Sequence, residues 1–193
     1  MYYTLIEALS VLIFLIPSCL VQKHLQRING KRTVLYLLFS LYLAAVYLLT
    51  GLPTVLFTTF AVHMNLVPRD IFGKELVLSL LNISMFIPLG FFLPLLWKKY
   101  RKLKNTLLFG LAATVAIEAA QLFTYRATDI NDVITNFLGA FSGYLLFLPV
   151  QKYLPKDCLP EQKTAGLRSM IAITAAGMFF VQPLIAALLY KLT

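Results

Sequence analysis

Glu118 stands inside an apolar run, between Val115-Ala116-Ile117 and Ala119-Ala120, and a ladder of polar residues follows it: Gln121, Arg126, Asp129, Asp132 and Asn136. A carboxylate at bilayer depth costs roughly 2.5–3.5 kcal/mol on insertion scales unless it is neutralised or paired. It is therefore either a packing device or part of a working site. Asn82, in an earlier apolar run, belongs to the same set. As an enzyme, the set offers Glu118 or Asp132 as general base and Arg126 as stabiliser of phosphate charge. As a binding site, it offers Arg126 for an anionic head group, with the carboxylates and amides as hydrogen-bonding partners. Glu118, Asp129 and Asp132 are also the place where a divalent metal would supply Lewis acidity. No metal-ligand motif, nucleophile–base triad or cofactor motif supports the enzyme reading, and Tyr125 and Thr128 are weak nucleophile candidates.

Each residue also has a structural reading. Glu118 suits a helix–helix contact held by Arg126 or Asn82, and Asp129 or Asp132 suits the N-terminus of the following helix. Asn82, Gln121 and Asn136 suit interhelical hydrogen bonds. Spacing favours a shared site: Glu118 and Gln121 lie on one helix face. Asp129, Asp132, Asn136, Gly139 and Gly143 form one stripe, in which the two glycines allow a neighbouring helix to approach. Pro88 and Gly90 are expected to shape the helix beneath Asn82. Glu7, His63, Arg69 and Asp70 are further candidates.

The elements that position these residues are membrane helices. The chain has 193 residues, of which 60% are apolar and 13% charged, a composition foreign to a soluble domain of this size. A bilayer core needs roughly 20 helical residues to cross. Candidate spans are 3–21, 33–51, 76–97, 105–123, 132–150 and 169–190. The stretch 52–68 is apolar but short, and is expected to be interfacial or re-entrant on the outer side. The expectation is thus an all-α polytopic helix bundle of about six spans in a single membrane domain, residues 1–193.

The net charge of +9 gathers in alternate loops, with Lys23, Arg27, Lys31 and Arg32 in the first and Lys98, Lys99, Arg101, Lys102 and Lys104 in the third. The 152–168 loop is again positive. These loops are expected in the cytoplasm and both termini outside, which places Asn82, Glu118 and Asp132 toward the outer leaflet. The same distribution argues against nucleic-acid binding. Cys19 and Cys158 show no metal spacing and are not expected to pair. The N-terminus lacks a basic region and cleavage site, so the first span is expected to remain in place. Polar residues stop at the outer half and no repeat is visible, which disfavours a transporter.

Asn82-x-x-x-Phe86-x-Pro88-x-Gly90 with Pro94, then Glu118-x-x-Gln121, Arg126-x-x-Asp129-x-x-Asp132 and Asn136-x-x-Gly139-x-x-x-Gly143, resemble the VanZ-like family of bacterial membrane proteins. The resemblance covers about residues 30–150, with the helix at about 169–190 as an extension. Arg126-Ala127-Thr128-Asp129 lacks the family's usual aromatic. The resemblance implies a plasma-membrane protein associated with tolerance of glycopeptides of the teicoplanin type. It makes Asn82, Glu118, Gln121, Arg126, Asp129, Asp132 and Asn136 the functional set, with Glu118, Asp132 and Arg126 catalytic if there is a reaction. Expected partners are membrane lipids and an amphiphile such as a lipoglycopeptide or lipid-linked wall precursor. The enzyme alternative is a hydrolase or transferase acting on a lipid-linked envelope substrate.

Overall fold

The computed structural model describes residues 2–26, 30–60, 62–68, 73, 75–153 and 164–192. The chain divides into two compact units, Met1–Thr58 with Ala165–Thr193, and Thr59–Thr164.

The first unit contains α1 (Tyr2–Gln26), α2 (Gly30–Leu49), α6 (Thr164–Ala176) and α7 (Gln182–Leu192), the last two joined by a π-helical turn at Gly177–Val181. Val11 and Leu15, one turn apart on α1, pack with Ala44 of α2 and Met178 of the π-turn. Phe14 lies so close to Gly177 that a Cβ there would collide with its ring. Gly51 ends α2 in the left-handed region at φ 61°. The Gly51 N–H donates to the Leu48 carbonyl at 3.1 Å and the Leu52 N–H to the Tyr47 carbonyl at 3.3 Å. That is a Schellman closure, and Pro53 follows it. Cys19 is a free buried thiol against Ser40, while Cys158, Arg69 and Asp70 lie outside the described residues.

The second unit is built on three helices, α3 (Leu76–Leu96), α4 (Leu103–Gln121) and α5 (Ile130–Tyr153), with α3 and α5 parallel and α4 antiparallel to both. The start of α3, the end of α4 and the start of α5 therefore share one end. A two-residue parallel pairing of β1 (Met64–Asn65) with β2 (Thr128–Asp129) ties the segment before α3 to that end. At the other end, a 3-10 turn at Lys98–Arg101 connects α3 to α4.

α3 and α5 meet backbone to backbone. A Cβ on Gly143 would sit 2.9 Å from the Ile87 carbonyl carbon and 3.0 Å from the Gly90 Cα. One on Gly139 would sit 2.9 Å from the Phe86 Cβ, and Gly90 in turn faces the Ala140 backbone. The glycine stripe thus performs the packing expected of it, since small residues let membrane helices approach closely. Pro88 and Pro94 lie inside α3 without ending it.

Among the described residues, five helical stretches are long and apolar enough to cross a bilayer: Leu5–His24, Leu76–Leu96, Leu103–Gln121, Ile130–Tyr153 and Gly166–Leu192. The remaining expected span forms α2, whose apolar stretch Thr33–Leu49 is shorter. The stretch 52–68 has no helix among its described residues. Its Phe57, Phe60, Leu66 and Val67 are exposed.

Gly143→Leu is expected to destabilise the protein by about 3 kcal/mol or more, because rigid backbone cannot yield to the added side chain. Gly30→Ala, where a Cβ meets nothing within 4 Å, should leave stability nearly unchanged. Thermal unfolding of both variants in detergent checks the contrast.

Candidate functional site

Most of the expected polar residues converge at the shared end of α3, α4 and α5. Asn82 Nδ2 donates to Asp132 Oδ1 at 2.7 Å, joining α3 to α5. Glu118, only 4% exposed, receives the Asp129 backbone N–H on Oε2 at 2.9 Å. Its main-chain carbonyl accepts the Thr128 hydroxyl at 3.0 Å. Glu118 therefore holds the segment that starts α5. Asp129 caps that helix, taking the Asn131 N–H on Oδ1 at 2.8 Å. Its other oxygen, Oδ2, accepts from Asn65 Nδ2 at 2.9 Å. Each carboxylate oxygen thus has one partner, in a cap and in a loop contact.

Arg126 is exposed in the α4–α5 connection, and its charge reaches both Glu118 and Asp132. Asp129 reaches the same two acids, and Glu75 reaches Asp132. Gln121 is buried at the end of α4, with its carbonyl accepting from Thr124 N–H at 2.9 Å. Asn136 lies one turn deeper than Asp132 along α5. Its Nδ2 donates to Thr114 Oγ1 of α4 at 3.0 Å, a link between helices rather than between acids. At 2% exposure, its Oδ1 has no hydrogen-bond partner among the described residues. Tyr125 is exposed beside Arg126, and His63 is exposed with its carbonyl accepting the Thr128 N–H at 2.8 Å.

Glu7 has a separate set of partners in the first unit. Its carboxylate accepts from Gln182 Nε2 and, at 3.2 Å, from the Tyr190 hydroxyl, both on α7. Gln182 also donates to Ser10 Oγ at 3.1 Å.

Three members of the polar end were not expected from sequence: Asn65, Glu75 and Asn131. Asn131 is buried and its Nδ2 donates to Glu75 Oε2 at 3.2 Å. Among the described residues, no three or more His, Cys, Asp or Glu side chains are grouped to hold a metal ion. The trio Glu118, Asp129 and Asp132 is thus not arranged as a ligand set. Chemically, the described residues offer acceptors at depth, amides between them and the exposed guanidinium of Arg126 at the rim.

The family model for VanZ/LLP1 matches residues 33–151. Protein VanZ of Enterococcus faecium is 35% identical over 118 residues, covering 54% of this chain and 71% of that protein. The chain belongs to the VanZ/LLP1 family. No solved structure matches it. The family region contains α3, α4 and all but the last two residues of α5, and therefore every residue of the polar end, whereas α1, α6 and α7 fall outside it. This VanZ-like chain is a multi-pass membrane protein, with helices sufficient for several crossings.

Glu118→Gln keeps an oxygen for the Asp129 N–H and places its new amide among carboxylates, so the fold should persist. Glu118→Leu leaves that buried N–H without its partner and should cost about 1–3 kcal/mol. Unfolding midpoints of the two variants in the same detergent provide the check.

Proposed function

We propose that this VanZ-like protein contributes to tolerance of teicoplanin-type glycopeptides by binding an amphiphilic lipid or lipoglycopeptide at the polar end of α3, α4 and α5. One observation carries the reading. A hydrogen-bonded cluster of buried and half-buried acids and amides is bordered by exposed Arg126 and by exposed aromatic surface at Phe123, Tyr125 and Phe60. Phe60 and Phe123 lie 5.7 Å apart between ring centroids. An anionic head group pairs with Arg126, its polar substituents meet Asp132, Asn82 and Glu118, and its acyl chain lies along the apolar helix faces. Gln121, Asp129 and Asn136 support the cluster from behind, by capping and bridging.

The polar end faces outward in this proposal. Its support is the charge of the 98–104 turn at the opposite end, which the positive-inside tendency assigns to the cytoplasm; the same proposal has both termini outside. A plasma-membrane site open to the exterior is where a glycopeptide or a lipid-linked wall precursor is met.

Protein in nanodiscs, titrated with fluorescent teicoplanin and with its deacylated core, tests the proposal. Saturable binding is expected for the acylated form, weakened about tenfold in Arg126→Glu, the scale of one charged hydrogen bond. Equal binding of both forms, or no effect of Arg126→Glu, contradicts it. Intact-mass analysis of the recovered ligand should show no change. An altered mass abolished by Glu118→Gln would replace this reading with a hydrolase or transferase using Glu118 as general base.

A further inference from the structure

Beneath the carboxylates of the polar end, the seam between α4 and α5 holds one more polar layer. Thr114 stands one turn below Glu118 on α4, and Asn136 one turn below Asp132 on α5. Asn136 is six residues into its helix, roughly 9 Å from the helix end, and both side chains are buried. The amide commits Nδ2 to Thr114 Oγ1 at 3.0 Å. That leaves Oδ1, the buried atom without a partner among the described residues. An amide oxygen in that condition is costly, so the direction in which it can find a donor matters.

The next layer down is sealed. A Cβ on Gly110 would lie 2.9 Å from the Ala140 Cβ, which sets α4 against α5 one turn below the Thr114–Asn136 pair. On the other flank, Gly139 meets Ile83 and Phe86 of α3, and Gly90 meets the Ala140 backbone. These contacts leave no room for a further group on the deep side of Asn136. The open direction is toward Glu118 and Asp132.

In that upper layer each acid has one oxygen in use. Glu118 Oε2 holds the Asp129 N–H at 2.9 Å, and Asp132 Oδ1 holds Asn82 Nδ2 at 2.7 Å. Glu118 Oε1 and Asp132 Oδ2 remain as acceptors, and the two side chains are near enough for the Asp132 charge to act on Glu118. With Asn136 Oδ1 they make three acceptor oxygens on adjoining turns of two helices. Charge balance is not what they lack, since Arg126 reaches both acids. They are short of donors. Among the described residues no grouping suits a metal ion, whereas a primary ammonium carries three N–H donors on one atom.

We propose that these oxygens receive the primary ammonium group of an amphiphile, with Asn136 Oδ1 as the acceptor that selects N–H donors over an equally charged quaternary ammonium. The inference rests on the amphiphile reading above and names the polar substituent that the acids receive. Glu118 and Asp132 attract any cation. The neutral Asn136 carbonyl responds to a hydrogen bond rather than to charge alone, and so determines specificity. A hydrogen bond from a charged donor is on the scale of about tenfold in affinity.

Purified full-length protein in neutral detergent is titrated with phosphatidylethanolamine and with phosphatidylcholine of the same acyl chains, and adducts are quantified by native mass spectrometry. The two head groups share phosphate and net charge and differ in N–H donors. Phosphatidylethanolamine should bind about tenfold more tightly. Thr114→Val removes the partner of Nδ2 and leaves Oδ1 in place, so the preference should persist. Thr114→Val combined with Asn136→Leu replaces both partners by apolar groups, a change close to neutral for stability. That double variant should lose the preference, while its phosphatidylcholine binding stays intact and its unfolding temperature is no lower than that of Thr114→Val. A preference that survives in the double variant, a preference already lost in Thr114→Val, or a double variant that loses both lipids alike overturns the inference. Equal binding of the two lipids by the unaltered protein also overturns it but leaves the amphiphile reading standing, whereas binding of neither lipid counts against both.

Discussion

The turn between α4 and α5 has to satisfy the backbone polar groups that it tucks against the helices, and Glu118 does so. One carboxylate oxygen takes the Asp129 N–H and the carbonyl of the same residue takes the Thr128 hydroxyl. This fixes where α5 begins. The start of α5 in turn determines that Asp132 meets Asn82 on α3 and that Asn136 meets Thr114 on α4. A buried acid that is costly in isolation thus becomes the anchor from which the other polar contacts take their register. Its structural and functional roles are not alternatives, since the residue that holds the turn also defines the floor of the polar end.

Depth along the bundle depends on a second constraint, the absence of side chains where α3 and α5 touch. Gly90, Gly139 and Gly143 bring the two backbones together, so a shift of one helix along the other would drive a carbonyl into a Cα. Dispersion between close backbones replaces the hydrophobic driving force that lipid does not provide. The hydrogen bond from Asn82 to Asp132 lies above this contact and inherits its precision. Tyr144 extends the same helix to the opposite end, where its hydroxyl secures the Arg101 carbonyl. α5 therefore braces both ends of the unit.

Helical periodicity made much of this legible. Glu118, Asp132 and Asn82 could be assigned to one end because spacing and span direction are enough to order residues by depth. Asn136 was visible as part of a stripe, but its partner Thr114 reads in sequence as an ordinary small residue of a membrane helix. Asn65 was not visible at all. It reaches Asp129 through a two-residue pairing of segments far apart in the chain, and such a contact leaves no periodic trace. Glu75 reads as a loop charge beside Lys74, and Asn131 is overshadowed by Asp132. The end of α2 was encoded more openly, since Thr50-Gly51-Leu52-Pro53 contains both the left-handed residue and the proline that follow a helix. Its shorter apolar stretch was less evident because flanking Leu52 extends the hydrophobic run beyond the helix.

The π-turn at Gly177–Val181 has a consequence for phase. Leu167, Met170, Met178, Gln182 and Ala186 are all buried, although a uniform α-helix would rotate Ala186 about 100° away from Leu167 over that distance. The wider winding of five residues absorbs the drift. It brings the amide of Gln182 round to the carboxylate of Glu7 while the apolar residues on either side stay on the same edge of the rod. The irregularity acts as a vernier, letting one long C-terminal segment keep a single inward-facing side from end to end.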